Sequence, residues 1–292
     1  MSAPYIGALA NREFVKMNGL GNEIVIVDLR CAPKPIERAA ARAAARQEPY
    51  DQLMALYPAR GKADAAVRIY NNDGSEAGAC GNGMRCVAAL IAAETGRADV
   101  IFETPAGVIS CRRAGEFFTV DMGRPRWRWD EIPLSREFAD TRAIELDYGP
   151  PGAPSLYAPS AVSMGNPHAI FWVDDPNAYD LATIGPALEH DPLFPERANI
   201  TLAAIPSRER LVIRTWERGA GLTQACGSAA CAAAVAAARL CRAERRVIVS
   251  LPGGELAIEW RAGDDHVLMT GTVAYEHKGR FDAALFADLG AA

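Results

Sequence analysis

Lysine is scarce in this 292-residue chain, which has only Lys16, Lys34, Lys62 and Lys278. A pyridoxal enzyme would need one of them as its Schiff base, and none stands in a site-like context. Histidine is equally scarce. His168, His190, His266 and His277 show no metal-ligand spacing, which argues against a zinc site, so no metal and no cofactor is expected. There is no Gly-Lys-Ser/Thr phosphate loop. Gly19-Leu20-Gly21-Asn22-Glu23-Ile24 begins like a dinucleotide fingerprint but lacks the final glycine and precedes a strand instead of following one. Long apolar runs are also missing. The longest run of small apolar residues, 229–238, is mostly alanine and falls far short of the ~18–20 residues that span a bilayer. No membrane partner is therefore expected. No basic segment leads into an apolar stretch near residue 1, so a cytoplasmic location is the expectation. Charge of one sign is lacking too: a formal net charge of −5 gives no electrostatic footprint for nucleic acid.

What is present is a globular composition, 50% hydrophobic and 23% charged, in a chain long enough for two domains. Seven cysteines (31, 80, 86, 111, 226, 231 and 241) form an odd set with no Cys-x-x-Cys pair. In a reducing compartment they read as free thiols, not as a disulfide framework.

The chain reads as a duplication. Gly21-Asn22 precedes an apolar run ending at Val27-Asp28, and Gly165-Asn166 precedes one ending at Val173-Asp174. Ala79-Cys80-Gly81 and Ala225-Cys226-Gly227 each open an alanine-rich segment. The stretch 100–107 has its counterpart in 247–254, Arg113-Ala114-Gly115 in Arg261-Ala262-Gly263, and Met122-Gly123 in Met269-Thr270-Gly271. Five pairs occur in the same order, the second member 144 to 148 residues after the first, as a duplicated half would leave them. Each half predicts a short strand after the Gly-Asn turn, a helix from Ala-Cys-Gly, then half-buried strands, among them 108–111, 117–121, 256–260 and 267–269. A surface helix over 37–47 is expected to lie outside the repeat. The proline-rich stretch 124–160 is the natural place for a domain connection.

Cys80 and Cys226 occupy the same position in the two halves, each before a glycine and a small polar residue at a helix start. Unsatisfied N–H groups and the helix dipole there favour an anion, which predicts a thiol of lowered pKa and a seat for a substrate carboxylate. Two such helix ends facing across a cleft would place one sulfur on each side of a bound carbon. One thiolate would remove a proton while the other thiol donates to the opposite face, inverting the centre. The competing reading, two buried structural cysteines, is weakened by their matched positions. Cys86 and Cys231, farther along the same helices, are read as packing residues.

The motifs Phe14-Val15-Lys16-Met17-Asn18-Gly19-Leu20-Gly21-Asn22, Asn72-Asp73-Gly74-Ser75-Glu76 and Cys80-Gly81-Asn82-Gly83-Met84-Arg85-Cys86 resemble those of diaminopimelate epimerases. So do Met164-Gly165-Asn166-Pro167-His168, Glu196-Arg197-Ala198-Asn199-Ile200, and Glu217-Arg218-Gly219 through Ala225-Cys226-Gly227-Ser228. The resemblance covers nearly the whole chain; 1–13, 31–50 and 124–161 carry it poorly. It implies a cofactor-independent epimerase interconverting LL- and meso-diaminopimelate on the path to lysine and peptidoglycan. It also implies an α+β fold of two pseudo-symmetric domains, each a curled, mostly antiparallel sheet around a central helix. The active site would lie in the cleft between them, and the protein would be a homodimer. The domains expected are 1–123 with 272–292, and 124–271.

Carried over residue by residue, Cys80 and Cys226 become the acid/base pair, with His168 and Glu217 beside them. Gly81, Asn82, Gly227 and Ser228 hold the reacting end. Asn22, Gln52, Asn72, Asn166, Asn199, Glu217 and Arg218 bind the rest of the small-molecule substrate. Arg218 can grip a carboxylate bidentately, and asparagine oxygens can accept from an ammonium without adding charge. Two departures from the family pattern stand out: Glu23-Ile24 in place of Asp-Phe, and Ala229 in place of glycine. The alternatives are a proline or hydroxyproline racemase-type enzyme, a catalytically silent binding relative and a thiol-redox protein. The two intact cysteines on separate halves and the charged Arg218 weigh against all three.

Overall fold

The computed structural model describes residues 7–150, 152–153 and 155–290. The first six and last two residues of the expected N-terminal domain, and residues 151 and 154 of the proline-rich stretch, lie outside the described residues. The chain divides into two compact units, one of residues 1–120 and 271–292, the other of residues 121–270.

In the first unit, β1 (Glu13–Asn18) and β2 (Glu23–Asp28) form a hairpin, and helix α1 (Arg38–Gln47) crosses to β3 (Gln52–Tyr57), which lies parallel to β2. β4 (Ala65–Asn71) returns antiparallel to β3 and is extended by a two-residue strand, β5 (Glu76–Ala77). Helix α2 (Gly81–Thr95) then leads to β6 (Asp99–Thr104), parallel to β4, and to the antiparallel strands β7 (Gly107–Ala114) and β8 (Phe117–Asp121). The sheet wraps α2, which touches β2 and β3 as well as β6 and β7.

β2 reads Ile-Val-Ile-Val because both of its faces are covered. Val25 and Val27 join Leu53, Tyr50 and the alanines of α1 in a core on one side. The alternate residues Ile24 and Ile26, fully buried, belong to the other face. Two features end α2 cleanly: Cys80 is its N-cap, its sulfur accepting from Gly83 N–H, and Gly96 closes it in the left-handed conformation at φ +70°.

The second unit repeats this plan. After a small hairpin of β9 (Asp147–Tyr148) and β10 (Leu156–Tyr157), β11 (Ser160–Ser163) and β12 (Pro167–Trp172) form the counterpart of β1–β2. Helix α3 (Leu181–Glu189) crosses to β13 (Asn199–Ser207), parallel to β12, and β14 (Arg210–Glu217) returns with the short β15 (Gly221–Leu222). Helix α4 (Gly227–Arg239), capped by Cys226, leads to β16 (Arg246–Leu251), parallel to β14. β17 (Gly254–Trp260) and β18 (Val267–Gly271) follow. The chain then re-enters the first unit as β19 (Ala274–Arg280), antiparallel to β1. Each unit is thus a mixed, mostly antiparallel sheet around one helix, the two arising from an internal duplication.

Two expectations need correction. The helix at 37–47 is neither superficial nor outside the repeat. α1 fills the same parallel crossover as α3, and Ala40, Ala41, Ala43 and Ala44 are buried against the sheet. Its exposed arginines sit on the opposite face; small alanines bury fully yet give a weak hydrophobic signal. The stretch 124–160 is irregular but is no bare connection. Ile132, Leu134, Ile144, Leu146 and Leu156 pack into the core of the second unit beside α3.

Candidate active site

In the first unit the candidate residues converge on the N-cap of α2. Cys80 Sγ lies 3.6 Å from Asn22 Oδ1 and 3.5 Å from Gln52 Oε1, and receives the Gly83 N–H at 3.3 Å. Asn22 Nδ2 donates to Gln52 Oε1 at 3.0 Å and to Asp51 Oδ2 at 2.9 Å. Two carbonyl-type oxygens on one sulfur favour the protonated thiol as donor. The Gly19-Leu20-Gly21 turn comes close enough to α2 that a Cβ at Gly19 would stand 3.2 Å from Asn82. Asn82 itself is buried in the first turn of α2.

The structure brings Asn71, not Asn72, to this cluster. Asn71 pairs with Gln52 in the β3–β4 ladder, receives Gln52 Nε2 at 3.5 Å on its Oδ1, and donates to Ser75 Oγ at 2.9 Å. Asn72 is exposed in the turn that follows. The Asn-Asn doublet hid the choice; the side on which each asparagine faces depends on a ladder register that only Gln52 reveals.

In the second unit, Asn166 Nδ2 donates to Ser228 Oγ at 3.3 Å, and Ser228 Oγ lies 3.5 Å from Cys226 Sγ. Asn199 is buried, donates to the Pro167 carbonyl at 3.0 Å and accepts Arg218 N–H at 2.9 Å. Arg218 also gives a guanidinium hydrogen to the Glu196 carbonyl at 2.8 Å. Thr223 Oγ1 donates to Glu217 Oε1 at 2.5 Å.

Electrostatics overturns one expectation. Burial pushes the Cys226 thiol well above its ordinary range, and the neighbouring Glu217 carboxylate pushes it the same way; the Ser228 hydroxyl opposes them. Cys226 is only 4% exposed, and desolvating its thiolate outweighs the helix dipole. His168 is fully buried, and burial, then the Arg218 charge, lowers its pKa to about 3. The ring is therefore neutral. Facing the Asn166 carbonyl oxygen at 3.0 Å, Nε2 must carry the hydrogen, which leaves Nδ1 as a buried acceptor.

The two departures are absorbed locally. Glu23 Oε2 takes a hydrogen bond from the buried Lys16 ammonium at 2.8 Å, while its backbone N–H goes to Asp51 at 2.8 Å. Ala229 lies fully buried within α4. Its counterpart Gly83 cannot be matched so simply, because a Cβ there would come within 2.7 Å of Met54 Sδ. At the position corresponding to Met54 the second unit has the smaller Thr201.

The sequence model of the family described as "Diaminopimelate epimerase" matches residues 14–128 and 160–276. The chain belongs to the diaminopimelate epimerase family. A diaminopimelate epimerase of Rhodopseudomonas palustris (strain BisB18) is 64% identical over 281 residues, covering 96% of this chain and 98% of that protein. One from Bradyrhizobium sp. (strain BTAi1) is 61% identical over 288 residues, covering 97% and 100%. Among solved structures, a hydroxyproline epimerase from Agrobacterium vitis superposes with a TM-score of 0.66 at 14% identity, covering 93% of this chain and 92% of that one. A phenazine biosynthesis protein from Bacillus anthracis gives 0.66 at 15%, covering 94% and 99%. These last two share the fold. Membership in the diaminopimelate epimerase family makes this chain an isomerase, an amino-acid epimerase acting on a small molecule. Among the described residues no helix is long and apolar enough to cross a membrane.

Proposed function

We propose that this enzyme interconverts LL- and meso-diaminopimelate by a cofactor-independent two-base mechanism, Cys80 serving one face of the α-carbon and Cys226 the other. One observation carries the reading: in a member of this family, both duplicated helices start at a cysteine N-cap ringed by the amide, hydroxyl and acid groups of its own half. The reaction requires both sulfurs to reach one carbon, so the substrate would lie in a cleft that both halves line.

In the forward step one thiolate forms an S–H bond as the α-C–H bond breaks. The electron pair moves into the adjoining carboxylate, held by the N-terminal amides of α2 and α4 at Gly81-Asn82 and Gly227-Ser228. The other thiol then gives its proton to the opposite face, its S–H breaking as the new C–H forms. The two sulfurs end with their protonation states exchanged. An α-proton is far less acidic than a thiol, so burial that makes Cys226 a stronger base narrows the gap, while Glu217 stands ready to take its proton.

Asn22, Gln52, Asn71 and Asn166 supply neutral hydrogen-bonding groups for the substrate's ammonium and carboxylate ends, and Arg218 supplies the charge for a carboxylate. Asn72 would join them only at the rim. In this reading His168, neutral and bonded to Asn166, positions Asn166 and Ser228 and moves no proton. The protein is proposed to work as a homodimer in the cytoplasm, with domains 1–123 plus 272–292 and 124–271. Sedimentation of the purified enzyme tests the dimer. The activity test is direct: LL-diaminopimelate should yield meso product, with no useful turnover of L-proline. Comparable turnover of L-proline would move the assignment to a proline racemase-type reaction.

A further inference from the structure

Glu189 is a carboxylate in an unfavourable place. It is the last residue of α3, where the helix dipole disfavours an anion, and it is 3% exposed. Three donors hold it: Trp216 Nε1 at 2.7 Å on Oε2, and Gly219 N–H at 2.9 Å with an Arg197 guanidinium hydrogen at 3.1 Å on Oε1. Trp216 and Gly219 stand on either side of Glu217 and Arg218. The grip is reinforced by packing. α3 comes so near the Trp216 ring that a Cβ at Gly185 would fall 2.4 Å from it, and Gly219 turns the chain at φ +74°. Arg197, itself at φ +60°, lies between Glu196 and Ala198-Asn199, the segment whose Glu196 carbonyl and Asn199 side chain bind Arg218. Crossover helix α1 in the first unit has no such carboxylate. Its last residue, Gln47, instead bonds Arg280 and Asp282.

We infer that Glu189 is the positioning residue for Glu217 and Arg218, fixing the turn that presents both to the substrate. Desolvated charged hydrogen bonds cannot relax into water, so one carboxylate at three donors sets the turn with little freedom. The inference rests on the reading of Glu217 and Arg218 as substrate-facing groups.

The test compares full-length wild type, Glu189→Gln and Trp216→Phe in two readouts, KM and kcat for LL-diaminopimelate and amide hydrogen exchange of peptides spanning 216–222. The glutamine keeps one acceptor oxygen but turns an NH2 group toward the other donors. Loss of bonds to a charged group should raise KM about 10- to 100-fold through Arg218, lower kcat through Glu217, and accelerate exchange at Gly219. Trp216→Phe, which keeps a ring on Gly185, should shift both readouts the same way by a smaller factor. Unchanged KM and kcat, or unchanged exchange at Gly219, would overturn the proposal. If Glu189→Gln does not fold, Trp216→Phe decides by the same two criteria. Wild type inactive on diaminopimelate would fail the functional reading instead, and the exchange data would still decide whether Glu189 holds the turn.

Discussion

Cys80 is partly exposed and faces the oxygens of two amides, whereas Cys226 is nearly inaccessible and faces a hydroxyl and a carboxylate. The duplication has kept the backbone roles in register: a Gly-Asn turn, a parallel crossover, a helix capped by cysteine. The side chains at matched positions have diverged. Gln52 corresponds to Asn199, Asn71 to Glu217, Asn72 to Arg218 and Ile24 to His168, as the pairings of β2 with β3 and of β12 with β13 require. At two of these matched positions the first half carries asparagines where the second carries the charged Glu217 and Arg218. A repeat conserves where a side chain stands more firmly than what it does.

The comparison breaks most severely if the cysteines are not equivalent partners in catalysis. Replacing either Cys80 or Cys226 with alanine should lower the epimerisation rate by ~10²–10⁴-fold or more, because each face of the carbon then lacks its own acid/base. A Cys80→Ala enzyme retaining most of its activity would remove the two-base assignment.

The surroundings of the two thiols predict unequal reactivity in the resting enzyme. The thiolate is the attacking form, so a pKa raised by burial leaves Cys226 with a smaller thiolate fraction at pH 7.5 than an ordinary thiol has. Peptide-resolved alkylation with iodoacetamide should label Cys80 at least ~10-fold faster, with Cys226 labelling still climbing above pH 9. Equal rates at pH 7.5 would show that burial does not control Cys226.

A smaller effect separates the helix starts sterically. Gly83→Ala drives a methyl group into Met54 and toward Cys80 Sγ, 3.3 Å from the new Cβ, and should destabilise by ~1–3 kcal/mol in chemical denaturation. Ala229→Gly, which removes a fully buried methyl group without any clash, should cost ~1–2 kcal/mol from lost burial and helix propensity. A neutral Gly83→Ala would mean that the fully buried Met54 yields freely.

A pH-dependent effect concerns His168, whose pKa of about 3 in the folded chain lies below the ~6.5 of an unfolded histidine. Between those values the unfolded state binds the extra proton, so stability is full above about pH 6.5 and falls as the pH drops. His168→Gln should flatten the decline in melting temperature between pH 7 and pH 5. An unchanged slope would show that His168 does not contribute to it.

Much of this was legible in the residues. The paired Gly-Asn and Ala-Cys-Gly elements located both helix caps and both turns, because backbone geometry at a turn or cap restricts residue type strongly. Asn22 stands beside Cys80, and Asn166 bonds Ser228 next to Cys226, each in its Gly-Asn turn. Three features stayed hidden for physical reasons. The packed face of α1 is built of alanine, whose hydrophobic signal is weak. The choice between Asn71 and Asn72 depends on register across β3 and β4. Glu189 lies far in sequence from the turn it holds, and nothing local marks a helix-terminal glutamate as buried. The lowered thiol pKa expected at Cys226 failed for a related reason, since burial is a property of the fold and not of the helix start.

The central claim is that two separate thiols invert one carbon, and the deuterium content of the first product formed in D₂O tests it most directly. With LL-diaminopimelate as substrate, product analysed by mass spectrometry during the first few per cent of reaction should be meso-diaminopimelate carrying one solvent deuterium at the inverted centre. The proton removed by one sulfur cannot be the one delivered by the other. Meso product that retains the original hydrogen in a large fraction of molecules would show a single base working on both faces, and would contradict the account.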